Sequence, residues 1–347
     1  MEEQLQQLIE SKLDAAPSVI LGINAPFEDF KWSSAAGFTE HGGQAPASTA
    51  HGFRIASMSK TFTGLLCAQF VEQGLLDLSK PASEYLPAGL AAIIPVAQGH
   101  TLDEITVDRL LKHRSGLYDF AHVPAWRQEI RRDPLRFREP TEIATWALEN
   151  GETVGAPGEV YHYSDTGYVL LGLLTEEISG LPYWQQCREK ILDPLGMNDT
   201  WLEGHEEVRI PMAHPYSLDD GEYIDAMQIN GCLDWAAGGH VSTVADLDLF
   251  LRGAFNNELF EDPATLDLFT HGGFAKPGFH YGFGVGRKII HGKTLWGHLG
   301  HWGSFMYYCP EERLSFCGTQ NYSASSHNTF IREILEILYP EAPIESS

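Results

Sequence analysis

Ser57 and Lys60 stand three residues apart in Phe53-Arg54-Ile55-Ala56-Ser57-Met58-Ser59-Lys60. Where such a stretch opens a helix, residues three apart share a face, so the amine reaches the hydroxyl. A serine hydroxyl attacks a carbonyl poorly until a base takes its proton. A lysine partly desolvated in a cleft holds its own proton less firmly and can be that base. The helix N-terminus adds a field that favours developing negative charge. Alone, Ser-x-x-Lys is a common accident of sequence, and a solvated helix residue is the plainer account of Lys60.

Two further groups of residues could act with this pair. Tyr163-x-Asp165 lies within Pro157-Gly158-Glu159-Val160-Tyr161-His162-Tyr163-Ser164-Asp165-Thr166-Gly167-Tyr168, on a loop that feeds an apolar helix. A phenol near an ammonium ionises more easily, so Tyr163 is a candidate proton shuttle. The ordinary alternative is a packed ring with its hydroxyl satisfied. The third group is Trp296-Gly297-His298-Leu299-Gly300-His301, on a strand, followed by Gly303-Ser304-Phe305. Gly300 would let a substrate lie close to the strand backbone. The N–H just after it could face an oxyanion. His298 by itself reads as a structural histidine.

The elements that must position these groups follow from periodicity. Leu5, Leu8, Ile9 and Leu13 mark an amphipathic opening helix that ends near Pro17. Ser18 to Ile23 reads as a buried strand, and Phe30 to Phe38 as a second strand with turns. A helix is expected over Ser57–Gln73, ending at Gly74. Helices then recur over Thr106–His113, Glu142–Asn150, Gly167–Ile178, Pro182–Ile191 and Val244–Gly253. Strands are expected over Tyr281–Arg287, Thr294–Leu299, Phe305–Cys309 and Leu314–Thr319. A last helix carries Phe330, Ile334, Ile337 and Leu338 on one face. Strands at both ends and helices between them imply an antiparallel sheet closed by the terminal helices, with a helical lobe inserted. A pocket at the seam between lobes is the default site.

Taken together, the order and spacing of the three groups resemble the penicillin-recognising serine hydrolases. That superfamily includes class C β-lactamases, DD-carboxypeptidases, D-aminopeptidases and family VIII carboxylesterases. Ser57-Met58-Ser59-Lys60 matches the first motif. Tyr163-Ser164-Asp165 matches the second, usually Tyr-x-Asn, and His298-Leu299-Gly300 the third, usually Lys-Thr-Gly but often His-x-Gly. The connecting segments Gly74–Leu78, Leu110–Leu117, Pro194–Met197 and Gly238–Thr243 look similar too, so the resemblance covers residues 5 to 340.

The resemblance implies an α+β fold of β-lactamase/transpeptidase type in one catalytic domain, residues 1–347. Its α/β lobe would take about 1–56 and 234–347, and its helical lobe about 57–233. Ser57 would attack a carbonyl and become acylated, with Lys60 and Tyr163 sharing the proton transfers. The N–H groups of Ser57 and His301 would hold the oxyanion. His298 would bind substrate or hold the Lys60–Tyr163 network. Two departures bear on substrate. Asp165 replaces the usual asparagine, which raises the Lys60 pKa, shifts the base's duty toward Tyr163 and suits a substrate with a free ammonium. His298 replaces a lysine that meets the substrate carboxylate in penicillin recognition, and a mostly neutral histidine does that less well. The reading is a D-aminoacyl peptidase or amidase working on a small molecule or short peptide. The alternatives are a carboxylesterase for short acyl esters and a slowly acylating sensor module.

Composition narrows the field. The formal net charge is −24, from 23 Lys plus Arg against 47 Asp plus Glu. A surface this acidic repels nucleic acid and anionic membrane. The longest apolar runs, such as Leu90–Val96, are too short to span a bilayer. Five scattered cysteines read neither as a disulfide framework nor as a zinc site. With an acidic start and no apolar stretch after it, the cytoplasm is the expected compartment. Beyond His298 and His301 no histidines cluster at metal spacing, so no metal or other cofactor is expected. Lys293-Thr294-Leu295 mimics the third motif but lacks its glycine. There is no G-x-S-x-G elbow.

Overall fold

The computed structural model describes residues 1–26, 29–91, 102–219 and 222–340. Most of the Leu90–Val96 run lies outside them. The dominant element is an eight-stranded antiparallel sheet. In spatial order its strands are Phe30–Gly37, Ser18–Ala25, Leu314–Thr319, Phe305–Cys309, Lys293–Leu299, Gly286–Ile290, Phe279–Tyr281 and Phe274–Lys276. The first strand of the chain therefore pairs with the last.

Alternation assigns the two faces. Val19, Leu21 and Ile23 point to one side, with Phe305, Tyr307 and Phe316. There they meet the opening helix, Glu2–Ser11, through Leu5 and Ile9, and the closing helix, His327–Leu338, through Phe330, Ile331, Ile334 and Leu335. Each such side chain contributes about 1.5–3 kcal/mol on burial. Ile20, Trp296, Met306 and Cys317 point the other way, into the larger core. Gly22 lies among them because a Cβ there would come within 2.9 Å of Val244.

The larger core is built on helix Ser59–Glu72. Every residue from Ser59 to Phe70 is buried, so this helix runs through the interior rather than over it. It packs against helix Asp165–Ser179 and the short turn Trp235–Ala237. The turn at 282–285 lies directly against it. A Cβ on Gly64 would sit 2.0 Å from the Phe283 carbonyl oxygen, and one on Gly284 would sit 2.0 Å from that of Lys60. Gly284 also has φ +69°, a conformation few other residues adopt.

Several expected elements change. The helix expected from Ser57 begins at Ser59, after a 3₁₀ turn over Ala56–Met58. The strand expected over Tyr281–Arg287 is two strands, because the turn closed by Gly282 N–H donating to Val285 O interrupts it. Helix Pro124–Arg132, with Pro124 in its first turn and Trp126 and Ile130 buried, was not expected. The five cysteines are free and buried. Among the described residues no helix is long and apolar enough to cross a membrane.

Candidate active site

Ser57 is presented by a strained turn. Ala56, just before it, has φ +48°, an unfavourable value for a residue with a Cβ. The turn is held where strand Lys293–Leu299 ends. Ser304 Oγ donates to the Ile55 carbonyl at 3.1 Å, and Gly300 N–H donates to Ser304 O at 2.7 Å. A Cβ at Gly300 would come within 2.2 Å of Ile55 O. Gly300 is thus needed to let the serine turn approach the strand, whereas the sequence suggested only an approach by substrate.

Lys60 is fully buried and three oxygens surround its ammonium. Nζ donates to Ser57 Oγ at 3.1 Å and to the Ala237 carbonyl at 2.7 Å. Asp165 Oδ1 lies 2.5 Å away in an ion pair. Burial opposes the charge on Lys60, but Asp165 and then Tyr163 more than offset it, so its pKa lies above the ordinary lysine value. Asp165 is the first residue of its helix, where the dipole favours a carboxylate.

Tyr163 packs beside this pair, with the Lys60 Nζ 4.9 Å from its ring centre. Its buried hydroxyl makes no aligned hydrogen bond. Burial pushes its pKa up to about 12, although Lys60 pulls the other way. His298 makes two contacts of its own. Its Nδ1 lies 2.6 Å from the Leu299 carbonyl, which can only accept, so Nε2 accepts from the Tyr281 hydroxyl at 2.9 Å. Burial, then Lys60, lowers its pKa to about 3, so it is neutral. His298 therefore anchors to Tyr281 and, among the described residues, makes no hydrogen bond of its own to Lys60 or Tyr163, although its ring lies 6.3 Å from that of Tyr163. His301 is exposed in the turn that follows. Its N–H donates to no group among the described residues, which leaves it available to an oxyanion.

The cavity in front of Ser57 has a volume of about 1170 Å³ and is lined by Tyr163, Asp165, His298, Gly300 and His301, so all seven residues singled out from the sequence meet there, Lys60 from behind its wall. Four more belong to the site and carried no sequence signal of their own. His113, with φ +54°, lies behind Tyr163 at 4.3 Å between rings, and its Nδ1 accepts from Ser164 N–H. Tyr281 has just been placed. Asp119 lines the cavity and is paired through Oδ2 with His122 Nδ1 at 2.9 Å. Asp234 lines it as well. Burial, then Asp165, pushes the Asp234 carboxyl up to about 7 against the pull of Lys60. No group of three or more potential metal ligands occurs among the described residues.

Comparison with known proteins gives the family and the fold. The Beta-lactamase family model matches residues 28–336. The D-alanyl-D-alanine-carboxypeptidase/endopeptidase AmpH of Escherichia coli (strain K12) is 33% identical over 153 residues, 42% of this chain and 36% of that protein. The chain spans about a third of the length of the first such relatives. A D-amino acid amidase from Ochrobactrum anthropi SV3, solved with L-phenylalanine amide, superimposes with TM-score 0.82 at 25% identity, covering 98% of this chain and 99% of that one. A D-stereospecific amidohydrolase from Streptomyces sp. shares the fold, with TM-score 0.83 at 24% identity over 97% and 98% of the two chains. The chain belongs to the Beta-lactamase family and has its fold.

Proposed function

We propose that the protein hydrolyses the amide bond of small D-aminoacyl substrates bearing a free ammonium, through an acyl group carried on Ser57. The observation that carries this reading is the chemistry of the cavity wall. Three carboxylates, Asp119, Asp165 and Asp234, cluster around Lys60 on the cavity wall, whereas Arg127, Arg131, Arg287, Lys288 and Arg332 line other parts of it, and the histidine at the strand position is neutral. A local cluster of carboxylates favours a cationic group there, and a neutral His298 offers little to the carboxylate of a β-lactam. Likeness to a D-amino acid amidase supports the same choice.

The steps follow from the contacts. Ser57 Oγ attacks the carbonyl carbon and gives its proton to the Lys60–Tyr163 pair. With Asp165 holding Lys60 as an ammonium, Tyr163 is the better acceptor, and the nearby ammonium stabilises its phenolate. The oxyanion is met by the His301 N–H with that of Ser57. The same proton then passes to the leaving amine, and the C–N bond breaks. Water attacks the ester and loses a proton to the same pair, which hands a proton to Ser57 Oγ as the acyl C–Oγ bond breaks and the carboxylic acid leaves.

A parallel assay tests the reading, with D-aminoacyl p-nitroanilides, their N-acetyl counterparts, p-nitrophenyl butyrate and a chromogenic cephalosporin. The free D-aminoacyl anilides should exceed the acetylated ones in kcat/KM by at least about tenfold. Equal rates for the two, or the cephalosporin as best substrate, would overturn it.

A further inference from the structure

Of the three carboxylates on the cavity wall, two are already engaged. Asp165 Oδ1 is 2.5 Å from the Lys60 ammonium. Asp119 Oδ2 faces His122 at 2.9 Å and its Oδ1 accepts from the Ala121 N–H. Asp234 has no such partner. Among the described residues no cation lies within ion-pair distance of it and no side-chain hydrogen bond reaches its carboxylate. Of the two cations that act on it, Lys60 is paired with Asp165, and Arg54 is consumed elsewhere. Its guanidinium grips Glu203 at 2.7 and 2.8 Å and donates to the Ala226 and Ile229 carbonyls.

The carboxylate is also held in place. Asp234 leads into the 3₁₀ turn Trp235–Ala237, whose residues are buried. Thr63 donates to Ala236 O at 2.7 Å, and Lys60 donates to Ala237 O at 2.7 Å, so the helix that carries Lys60 fixes this turn. Gly238 leaves the space the side chain occupies. A Cβ there would come within 2.8 Å of Asp234 Cβ and 3.1 Å of Oδ2. A fixed, unpaired, half-buried carboxylate in a catalytic cavity lacks a cation, and burying a charge without a partner is costly.

We propose that Asp234 is the seat of the substrate's free ammonium, and that Asp165, to which the sequence pointed for that role, is instead the counter-ion of Lys60. The proposal rests on the D-aminoacyl reading given above and names the residue that enforces it. The charged groups acting on Asp234 are Asp165, Lys60, Asp119 and Arg54. Burial first, then Asp165 and Asp119, leaves the carboxyl hard to ionise against the pull of Lys60 and Arg54, a condition that a bound ammonium relieves. A substrate of this class carries a cation on the carbon next to the scissile carbonyl, so the wall that holds the cation also orients that carbonyl toward Ser57.

Calorimetric binding in the full-length S57A background tests this without turnover. The probes are D-phenylalaninamide and 3-phenylpropanamide, which differ in the amine. In S57A the first should bind at least about tenfold more tightly. In S57A/D234N and S57A/D234S the ratio should fall to about one. S57A/D234E and S57A/D119N should keep it, and S57A/G238A, which presses on the carboxylate, should reduce it. An undiminished ratio in both neutral variants at position 234, or its loss on D119N alone, overturns the assignment of Asp234 and leaves the D-aminoacyl reading standing. A ratio near one already in S57A overturns both.

Discussion

The two walls that meet at Ser57 are built on opposite plans. The helical wall concentrates charge, with Lys60 buried among Ser57, Ala237 O and Asp165, and Tyr163 stacked close by. The strand wall's cations, Arg287 and Lys288, lie on the neighbouring strand Gly286–Ile290, and the end next to Ser57, from His298 to His301, carries none. Its histidine is neutral and tied to Tyr281, and its glycine and His301 N–H supply shape and a single donor dipole. The contrast teaches a division of labour. In the proposed mechanism, groups on the helical wall set when a proton can move, and groups on the strand wall set where the carbonyl sits.

That division makes predictions that differ in kind. The largest effect falls on the nucleophile. S57A should lower ester turnover by about 10⁴-fold or more and abolish the covalent acyl adduct seen by mass spectrometry. Residual turnover above a hundredth of the parent would remove Ser57 from its role. On the strand wall, G300A drives a Cβ into Ile55 O and displaces both the serine turn and the His301 N–H. Its kcat should fall by about 10²-fold or more, as when an oxyanion donor is lost, with the shape of the pH profile unchanged. A shifted profile in G300A would erase the distinction between the walls.

The next effect tests the helical wall through pH. Tyr163 is pushed up to about 12 by burial and Lys60 lies above its ordinary value. A base with a raised pKa is mostly protonated at neutral pH, so kcat/KM for a p-nitrophenyl ester should keep climbing to at least about pH 10. D165N removes the charge that raises both groups, so the climb should level off at a lower pH. A profile for D165N displaced toward alkali would contradict this. The smallest effect belongs to His298. Replacing it by glutamine costs a neutral hydrogen bond, about 2–10-fold in kcat/KM. Because the ring stays neutral down to about pH 3, the profile above pH 5 should keep its shape, which a pH–rate series on H298Q would check.

The walls also differ in how much of them could be seen in the sequence. Ser57, Lys60, Tyr163 and His298 stand out because each sits in a short pattern whose spacing carries chemistry. The strands and long helices showed through their periods of two and 3.6. Glycine-rich segments did not. In Tyr281–Arg287 the alternation continues through Gly282 and Gly284, yet the backbone turns there to accommodate the helix bearing Lys60. Asp119, Asp234 and His113 come from turns and loops, and their meaning depends on which neighbours the fold brings them. No pattern within ten residues of Asp234 announces that its carboxylate is the unpaired one. Helix Pro124–Arg132 did carry a readable signature, Trp126 and Ile130 four apart behind a proline, but nine residues with so many charges resemble a loop.

One feature of the sheet reaches beyond the site. Ile20 pairs with Thr319, so the strand made first waits about 300 residues for its partner. At a ribosomal rate of 5–20 residues per second that is roughly 15–60 s. Throughout that interval Val19, Leu21 and Ile23 belong to a strand with an open edge, the kind that recruits other chains. Helix Ser59–Glu72 is likewise made long before the turn at Phe283 against which it packs. Activity is therefore a property of the finished chain. A ribosome-stalled chain lacking the strands after Lys293 should carry an intact Ser-x-x-Lys sequence, form no ester with an activated acyl donor, and rely on a chaperone to stay soluble.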